Sequence, residues 1–577
     1  MIRAPRILAR SAMPLHIDGL HPLLQRLYAH RGITEAWQLE CGLSRLHACE
    51  GLSGMAAATD LLMHALKHGS RILIIGDFDA DGATSTALAV RALRAFGAQD
   101  VHYLVPNRFE YGYGLTPEIV AVGAGLSPEL LITVDNGVSS VEGVAAAKAR
   151  GMRVLITDHH LPAAQLPAAD AIVNPNLPGD FFPSKTLAGV GVVFYLMLAL
   201  RTRLRAVDWF ARHGLAEPNM ARYLDLVALG TVADVVPLDH NNRILVEQGL
   251  RRIRAGHCIP AIPALLRCAG RSHERAVASD LGFAAGPRLN AAGRLQDMSI
   301  GIECLLCDDE ERAGALAGEL DELNRQRRVI ESDMHAQALV ALRTLDALRD
   351  DALPHGLCLF DAGWHQGVIG ILASRIKERF QRPAIVFADA GEHTLKGSAR
   401  SVAGLHIRDV LEAVATHNPG LITRYGGHAM AAGLTMPAAH FDAFRTAFEL
   451  AVRAAITPEQ LDGVQYTDGE LSDADFTLEV ARLLRAGGPW GQGFPEPLFE
   501  GEFEIVTQRP VGERHLKLKI RPRGGACLLD AIVFNIDALE WTKDVRAVYL
   551  LYRFDENEYQ GRVSPQLNVT HLRPLQP

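Results

Sequence analysis

No run of about 18 uncharged apolar residues occurs in this 577-residue chain, so no membrane-spanning helix is expected. The richest apolar tract, residues 187–200, is short, broken by glycine and flanked by Lys185 and Arg201, which suits a buried helix. The amino-terminal segment carries arginines but no continuous apolar core followed by a cleavage site, so no signal peptide is expected. Cysteine is sparse: eight residues, scattered, which excludes a disulfide framework and fits reduced thiols in a cytoplasmic protein. Cys304 and Cys307 form a lone CxxC with no second half for zinc, so they read as core packing. Positive charge is not in excess either; the net charge is −8, which argues against a protein that coats duplex DNA through a basic surface. It leaves room for a local basic groove and for a cluster of catalytic carboxylates. No fixed-period repeat is present.

What the chain does have is apolar content, 48%, enough for large cores. At about 150 residues per domain its length implies three or four domains. Residues 71–173 alternate short branched apolar runs (RILIIG, VHYLV, LLITV, RVLIT) with helical segments. That pattern predicts parallel strands buried on both faces, a doubly wound α/β domain. Residues 185–306 read as mostly helical. Residues 308–350 are charged and rich in alanine and leucine, with Leu316, Leu320, Leu323, Ile330 and Met334 at helical spacing. One long connecting helix is expected, two bundle helices being the alternative. A second α/β unit begins near Leu357, and GPWGQGFPEP reads as a connector. The short alternating segments that follow predict a small β-barrel, with no further domain expected beyond it. The expected division is an extension over 1–50, a catalytic domain over 51–307, the connecting helix over 308–350, the second α/β domain over 351–457 and the barrel over 458–577. The extension is expected to be helical and to pack on the first lobe.

Four clusters carry chemistry. GDFDADG places Asp77, Asp79 and Asp81 after the first strand; VDNG places Asp135 after LLIT; TDHH places Asp158, His159 and His160 after RVLI; GTVADVVPL places Asp234 after a helical segment. Three clusters thus end parallel strands, the edge where open α/β sheets bind ligands. A lone DxD would more often be a solvated loop or a helix cap, and a calcium loop is disfavoured because Leu88 stands where the twelfth-position Glu belongs. The repetition outweighs these readings. Converging carboxylates repel one another unless a cation is present. Aspartate oxygens with histidine nitrogens suit Mn²⁺ or Mg²⁺. So many donors fit two ions sharing a bridging carboxylate, about 3.5–4 Å apart, which can activate water and clamp a phosphodiester.

In order, these clusters resemble the four motifs of the DHH phosphoesterase superfamily. The tracts GPRLNAAGRL, WHQGVIGILASRI, GSARS and GGHAMAAG look like those of its single-strand-specific 5′-to-3′ exonucleases and their DHH-associated domain, and the terminal barrel resembles their OB-fold. The resemblance implies that Asp77, Asp79 and Asp81 supply ligands to one or both ions, that Asp135 bridges, and that His159 and Asp234 complete the second site. It also implies that His160 acts near the scissile phosphate and that Asp158 orients a histidine. The division of ligands between the ions stays open, because Asp77 stands where pyrophosphatase relatives carry a histidine further upstream.

For the nucleic acid, PNRFEYGYG offers Arg108 for a phosphate, which the resemblance implies is the 5′ one, and Tyr111 and Tyr113 for stacking. Arg288, Asn290 and Arg294 lie in a glycine-punctuated tract suited to backbone phosphates. Ser374, Arg375 and Arg400 lie in the second α/β unit, where Gly426, Gly427 and His428 could offer backbone N–H groups to an anion. His365 reads equally as structural. A cleft between the lobes would admit one strand, with the barrel gripping its trailing part. The expectation is a monomeric exonuclease working on single-stranded DNA from its 5′ end, in repair and recombination. Family analogy adds a RecQ-type helicase and a single-stranded-DNA-binding protein as collaborators. The alternatives are a phosphodiesterase of the same superfamily for small substrates, and a catalytically dead binding scaffold.

Overall fold

The computed structural model describes residues 6–107, 114–163, 165–342, 353–427, 429–461, 463–512, 515–534, 545–559 and 561–575. No helix among them is long and apolar enough to cross a membrane. The chain divides into two compact units.

The larger unit holds the first α/β sheet. Its strands are β1 (Ile72–Ile75), β2 (Val101–Leu104), β3 (Leu130–Val134), β4 (Arg153–Thr157) and β5 (Ala171–Val173). Every side chain of β1 and β3 is buried, as expected for a sheet covered on both faces. All neighbours are parallel, in the order β2-β1-β3-β4-β5. The chain leaves β1 toward one side, forms β2, and crosses back to place β3 on the other side. The switch point therefore lies between the carboxyl ends of β1 and β3, the position where such sheets open a crevice.

Four helices frame that crevice: α1 (Ala80–Ala95), α2 (Gly189–Ala206), α3 (Leu224–Ala233) and α4 (Gly286–Leu295). The tract 187–200, with its near-continuous apolar content, becomes α2, buried along most of its length. Glu310–Ala341 is a single 32-residue helix, α5, with Leu320, Leu323 and Met334 buried; residues 343–350 of the expected connecting helix lie outside the described residues. It belongs to the larger unit through Asp321 and to the smaller one from Glu322.

The smaller unit contains the second sheet: β6 (Leu357–Phe360), the helix α6 (Ile369–Phe380), β7 (Ala384–Asp389), β8 (Thr394–Arg400), β9 (Arg424–Gly427) and β10 (Ala431–Pro437). The strand order is β9-β10-β8-β7-β6; only β6 and β7 are parallel, so the sheet is mixed. Back in the larger unit, β11 (Phe499–Val511), β12 (His515–Pro522), β13 (Leu529–Phe534), β14 (Ala547–Tyr559) and β15 (Arg562–Pro574) close into the expected barrel.

The amino-terminal segment is only partly the helical extension expected. It forms the helix Pro22–Ala29 and three short 3₁₀ turns. It packs on the first α/β region, where Arg243 donates to the Gln38 carbonyl at 3.0 Å, and equally on the glycine- and proline-rich connector. There Tyr28 donates to the Gly487 carbonyl at 2.8 Å and stacks with Phe494, and Arg31 lies over the Trp490 ring. Arg31 and Asp468, both almost fully buried, pair through two bonds of 3.1 Å. Burial works against the Asp468 carboxylate, but the Arg31 bond outweighs it and holds its pKa below the usual range. Cys304 is buried, in line with a packing role, and burial pushes its pKa up to about 12.

Removing one member of a buried pair strands the other charge. Asp468→Ala is expected to destabilise the larger unit by about 3–5 kcal/mol in urea unfolding. A loss below about 1 kcal/mol would place the pair with ordinary surface bridges.

Candidate metal centre

The aspartate-rich loop after β1 is held in shape by its own backbone. Asp79 is the N-cap of α1; its Oδ1 accepts from the Gly82 N–H at 3.0 Å. That satisfies an otherwise orphaned donor and fixes the carboxylate at the helix start. Gly82 has no substitute here, because a Cβ would lie 2.6 Å from the backbone of Asp77. After β3, Asp135 adopts a left-handed conformation with φ of +62°. Aspartate tolerates this region better than most residues, and such strain clusters at functional sites.

Two further helices close on the same point. Asp81, 1% exposed, accepts from the Gly189 and Val190 N–H groups at 2.6 and 3.0 Å, at the amino end of α2. Glycine is required twice. A Cβ on Gly189 would lie 2.6 Å from the Asp135 carboxylate, and one on Gly230 of α3 would lie 2.8 Å from Asp81 Oδ1. Asp234 follows as the C-cap of α3.

All four sequence clusters therefore meet. Donor atoms of Asp77, Asp79 and Asp135 lie within 4.8 Å of one another; so do those of Asp81, His159 and Asp234, and those of Asp135, His159 and His160. Asp135 is common to two groups. His159 Nε2 sits 3.1 Å from Asp135 Oδ1, 3.5 Å from Asp234 Oδ2 and 4.0 Å from Asp81 Oδ2. Yet Asp135 Oδ1 and His159 Nε2 are buried with no aligned hydrogen-bond partner. Buried polar atoms left this way are expensive unless something else satisfies them. An oxygen-rich set with imidazole nitrogen fits hard divalent cations such as Mn²⁺ and Mg²⁺.

The electrostatics of the cluster say the same. Burial, then the neighbouring Asp234, pushes the Asp81 pKa up to about 7. Burial, then Asp79, pushes Asp234 up to about 7, and burial with Asp81 drives Asp135 well above the carboxylate range. Burial lowers the pKa of His159, leaving a neutral imidazole able to ligate.

Asp158 has a different fate. Its Oδ1 accepts from the His159 and His160 N–H groups and faces His160 Nδ1 at 2.7 Å, while Oδ2 accepts from the Val138 N–H. Burial opposes its charge, but the His160 bond and charge prevail, so Asp158 falls to about 2. Burial likewise opposes the His160 cation and Asp158 outweighs it, raising His160 to about 9. The pair is a carboxylate–imidazolium beside the donor cluster.

Three profiles match the chain: the DHH family N-terminal domain over residues 71–231, the DHHA1 domain over 354–454 and the RecJ OB domain over 467–571. The single-stranded-DNA-specific exonuclease RecJ of Dickeya dadantii is 57% identical over 97% of this chain and 97% of its own length. The chain belongs to the RecJ family. The Escherichia coli member is 55% identical over 96% of both chains. The crystal structure of RecJ in complex with Mn²⁺ from Thermus thermophilus matches 99% of this chain and 80% of its own, at 31% identity and a TM-score of 0.78. Against this RecJ-family background, the doubly wound domain, the second α/β domain and the OB barrel are the expected architecture.

The residues read as nucleic-acid contacts fare unevenly. Arg108, Tyr111, Tyr113 and His428 lie outside the described residues. Arg288 is 5% exposed, paired with Asp321 at 2.7 Å and donating to the Ala284 carbonyl. Asn290 accepts from the Ala80 N–H at 2.8 Å. In the smaller unit Arg294 donates to the Gly367 carbonyl at 3.3 Å, and His365 Nδ1 accepts from the Gly367 N–H. Arg400 lies against the start of α6, where a Cβ on Gly370 would meet its Nη2 at 2.8 Å. Ser374 bonds back to the Gly370 carbonyl, and Arg375 pairs with Glu331 at 3.1 Å while staying half-exposed. Gly426 is exposed, and Gly427, with φ of +140°, abuts Ala432.

Sequence reasoning missed the supports of this RecJ-family site. Asn174 and Asn176 donate to the carbonyls of His160 and His159 at 2.9 and 2.6 Å, holding the histidine loop from the end of β5. The available signal was VNPN directly after an apolar strand. The amide pair of Gly189 and Val190 was hidden in a tract read only as apolar.

Asp81 and Asp234 bind protons more tightly folded than unfolded, so the metal-free chain loses stability as pH rises from about 4 to about 7. Mn²⁺ removes that repulsion. The rise in melting temperature on adding Mn²⁺ is expected to be several degrees larger at pH 8 than at pH 5; equal rises would contradict the charge cluster as its cause.

Proposed function

We infer that this RecJ-family chain is a two-metal exonuclease that hydrolyses single-stranded DNA from its 5′ end and releases mononucleotides. The observation that carries the reading is two donor groups, Asp77 with Asp79 and Asp135, and Asp81 with His159 and Asp234, linked by the 3.1 Å approach of Asp135 Oδ1 to His159 Nε2. Asp77 and Asp79 would hold one Mn²⁺ or Mg²⁺, Asp81, His159 and Asp234 the other, and Asp135 both. This is the division of ligands that the grouping supports. Bound ions of this kind supply Lewis acidity and lower the pKa of a bound water.

The chain's own groups do the rest. Gly189 and Val190 amides and the Asp79 cap keep the carboxylates aimed inward, so little reorganisation is needed when substrate arrives. His160, held protonated by Asp158, is placed to give a hydrogen bond or proton to a phosphate oxygen. The neutral His159 beside it stays available as a ligand. Arg294, Ser374, Arg375, Arg400, Gly426 and Gly427 are the candidates for the DNA backbone in the smaller unit, with His428. Arg108 is the candidate for the 5′ phosphate, with Tyr111 and Tyr113 stacking on bases. The OB barrel supports a grip on single strands by charge and stacking.

A single-strand-specific enzyme needs duplex DNA opened first. A RecQ-type helicase and a single-stranded-DNA-binding protein are therefore its proposed collaborators, in repair and recombination. All eight cysteines are free thiols, which supports a reducing, cytoplasmic setting.

Asp135→Ala should lower turnover of single-stranded DNA by about 10³-fold or more while leaving DNA binding within about twofold. Activity near wild type would remove Asp135 from the bridging role. On strands labelled at either end, the 5′ label should be released first as a mononucleotide; early loss of the 3′ label would reverse the polarity.

A further inference from the structure

Asn290 lies in a tract that invites a phosphate-binding role, yet its contact points elsewhere. Its Oδ1 accepts from the Ala80 N–H at 2.8 Å. Ala80 is 1% exposed and is the first residue of α1, between Asp79 and Asp81. A helix start leaves such N–H groups without intrahelical partners. The Asp79 side chain already serves Gly82, so the Ala80 donor depends on a group from outside the loop. A second observation comes from the next turn of α4. A Cβ on Gly293 would sit 1.8 Å from the Phe78 carbonyl oxygen, so the α4 backbone rests directly on the loop that carries Asp77 and Asp79. Asn290 and Gly293 are three residues apart and share one helix face.

We propose that Asn290 is a positioning residue for the metal centre: through its carbonyl oxygen it locks the start of α1, and with it the spacing of Asp79 and Asp81, rather than binding DNA. This rests on the two-metal reading above. The two roles use opposite ends of one amide. Clamping needs the oxygen as acceptor, whereas holding a phosphate needs the NH₂ as donor. Aspartate keeps the acceptor and loses the donor.

The test compares Asn290→Ala and Asn290→Asp in the full chain. Mn²⁺ binding is followed by calorimetry, and metal-free binding of a fluorescent single strand by anisotropy. Clamping predicts that Asn290→Ala weakens Mn²⁺ binding about tenfold, the scale of one lost bond to a buried donor, with DNA affinity unchanged. Asn290→Asp should keep Mn²⁺ affinity within about threefold of wild type and so rule out a general folding defect in the alanine variant. The proposal is overturned if both variants bind Mn²⁺ like wild type, or if both lose DNA affinity, aspartate more than alanine, as a phosphate contact requires. Absence of Mn²⁺ binding by the wild-type chain would sink the metal reading itself, a separate result.

Discussion

Carboxylates buried side by side are the constraint around which the larger unit is arranged. Asp77, Asp81 and Asp135 are 4%, 1% and 2% exposed; Asp77 lies within reach of Asp135, and His159 faces both Asp135 and Asp81. Desolvation and mutual repulsion both oppose their charge, so the fold has to hold them together against a gradient that would splay them. It does so with neutral backbone donors, the Gly189 and Val190 N–H groups to Asp81 and the Gly82 N–H to Asp79, and with glycines that let α2 and α3 approach side chains closely. The amides supply hydrogen bonds without adding a competing countercharge. The compensating charge is left for the cation.

The Asp158–His160 pair shows how the same residue type takes another role a few ångströms away. Here a histidine is the partner, so the carboxylate stays ionised and the imidazole protonated at neutral pH. His159, one residue earlier, faces the acidic cluster, and burial keeps it neutral. Adjacent histidines are thus driven to different protonation states by what each ring meets. A site needs both, a ligand with a free lone pair and a donor with a proton to give.

Much of this was legible in sequence because it is local. Buried strands announce themselves as short branched runs, and clusters placed right after them must lie at one sheet edge. Asp77, Asp135 and His159 were found that way. Long-range pairing was not legible. Arg288 reads as a phosphate contact beside glycines, yet Asp321, 33 positions later, claims it. Asn174 and Asn176 look like an ordinary turn until the histidine loop is seen resting on them. The Arg31–Asp468 pair joins residues more than 400 positions apart, and nothing near either one foretells it.

The sequence by itself determined the fold class, the order of the modules and the side chains that gather at the sheet edge, because periodicity and strand-end placement are properties of neighbouring residues. Tertiary structure alone decided which donors lie within reach of one another, which histidine faces Asp158, and which polar residues of the conspicuous tracts bond within the fold. Those outcomes depend on distance, burial and the direction of a lone pair, and such quantities exist only once helices from distant segments have packed against the sheet.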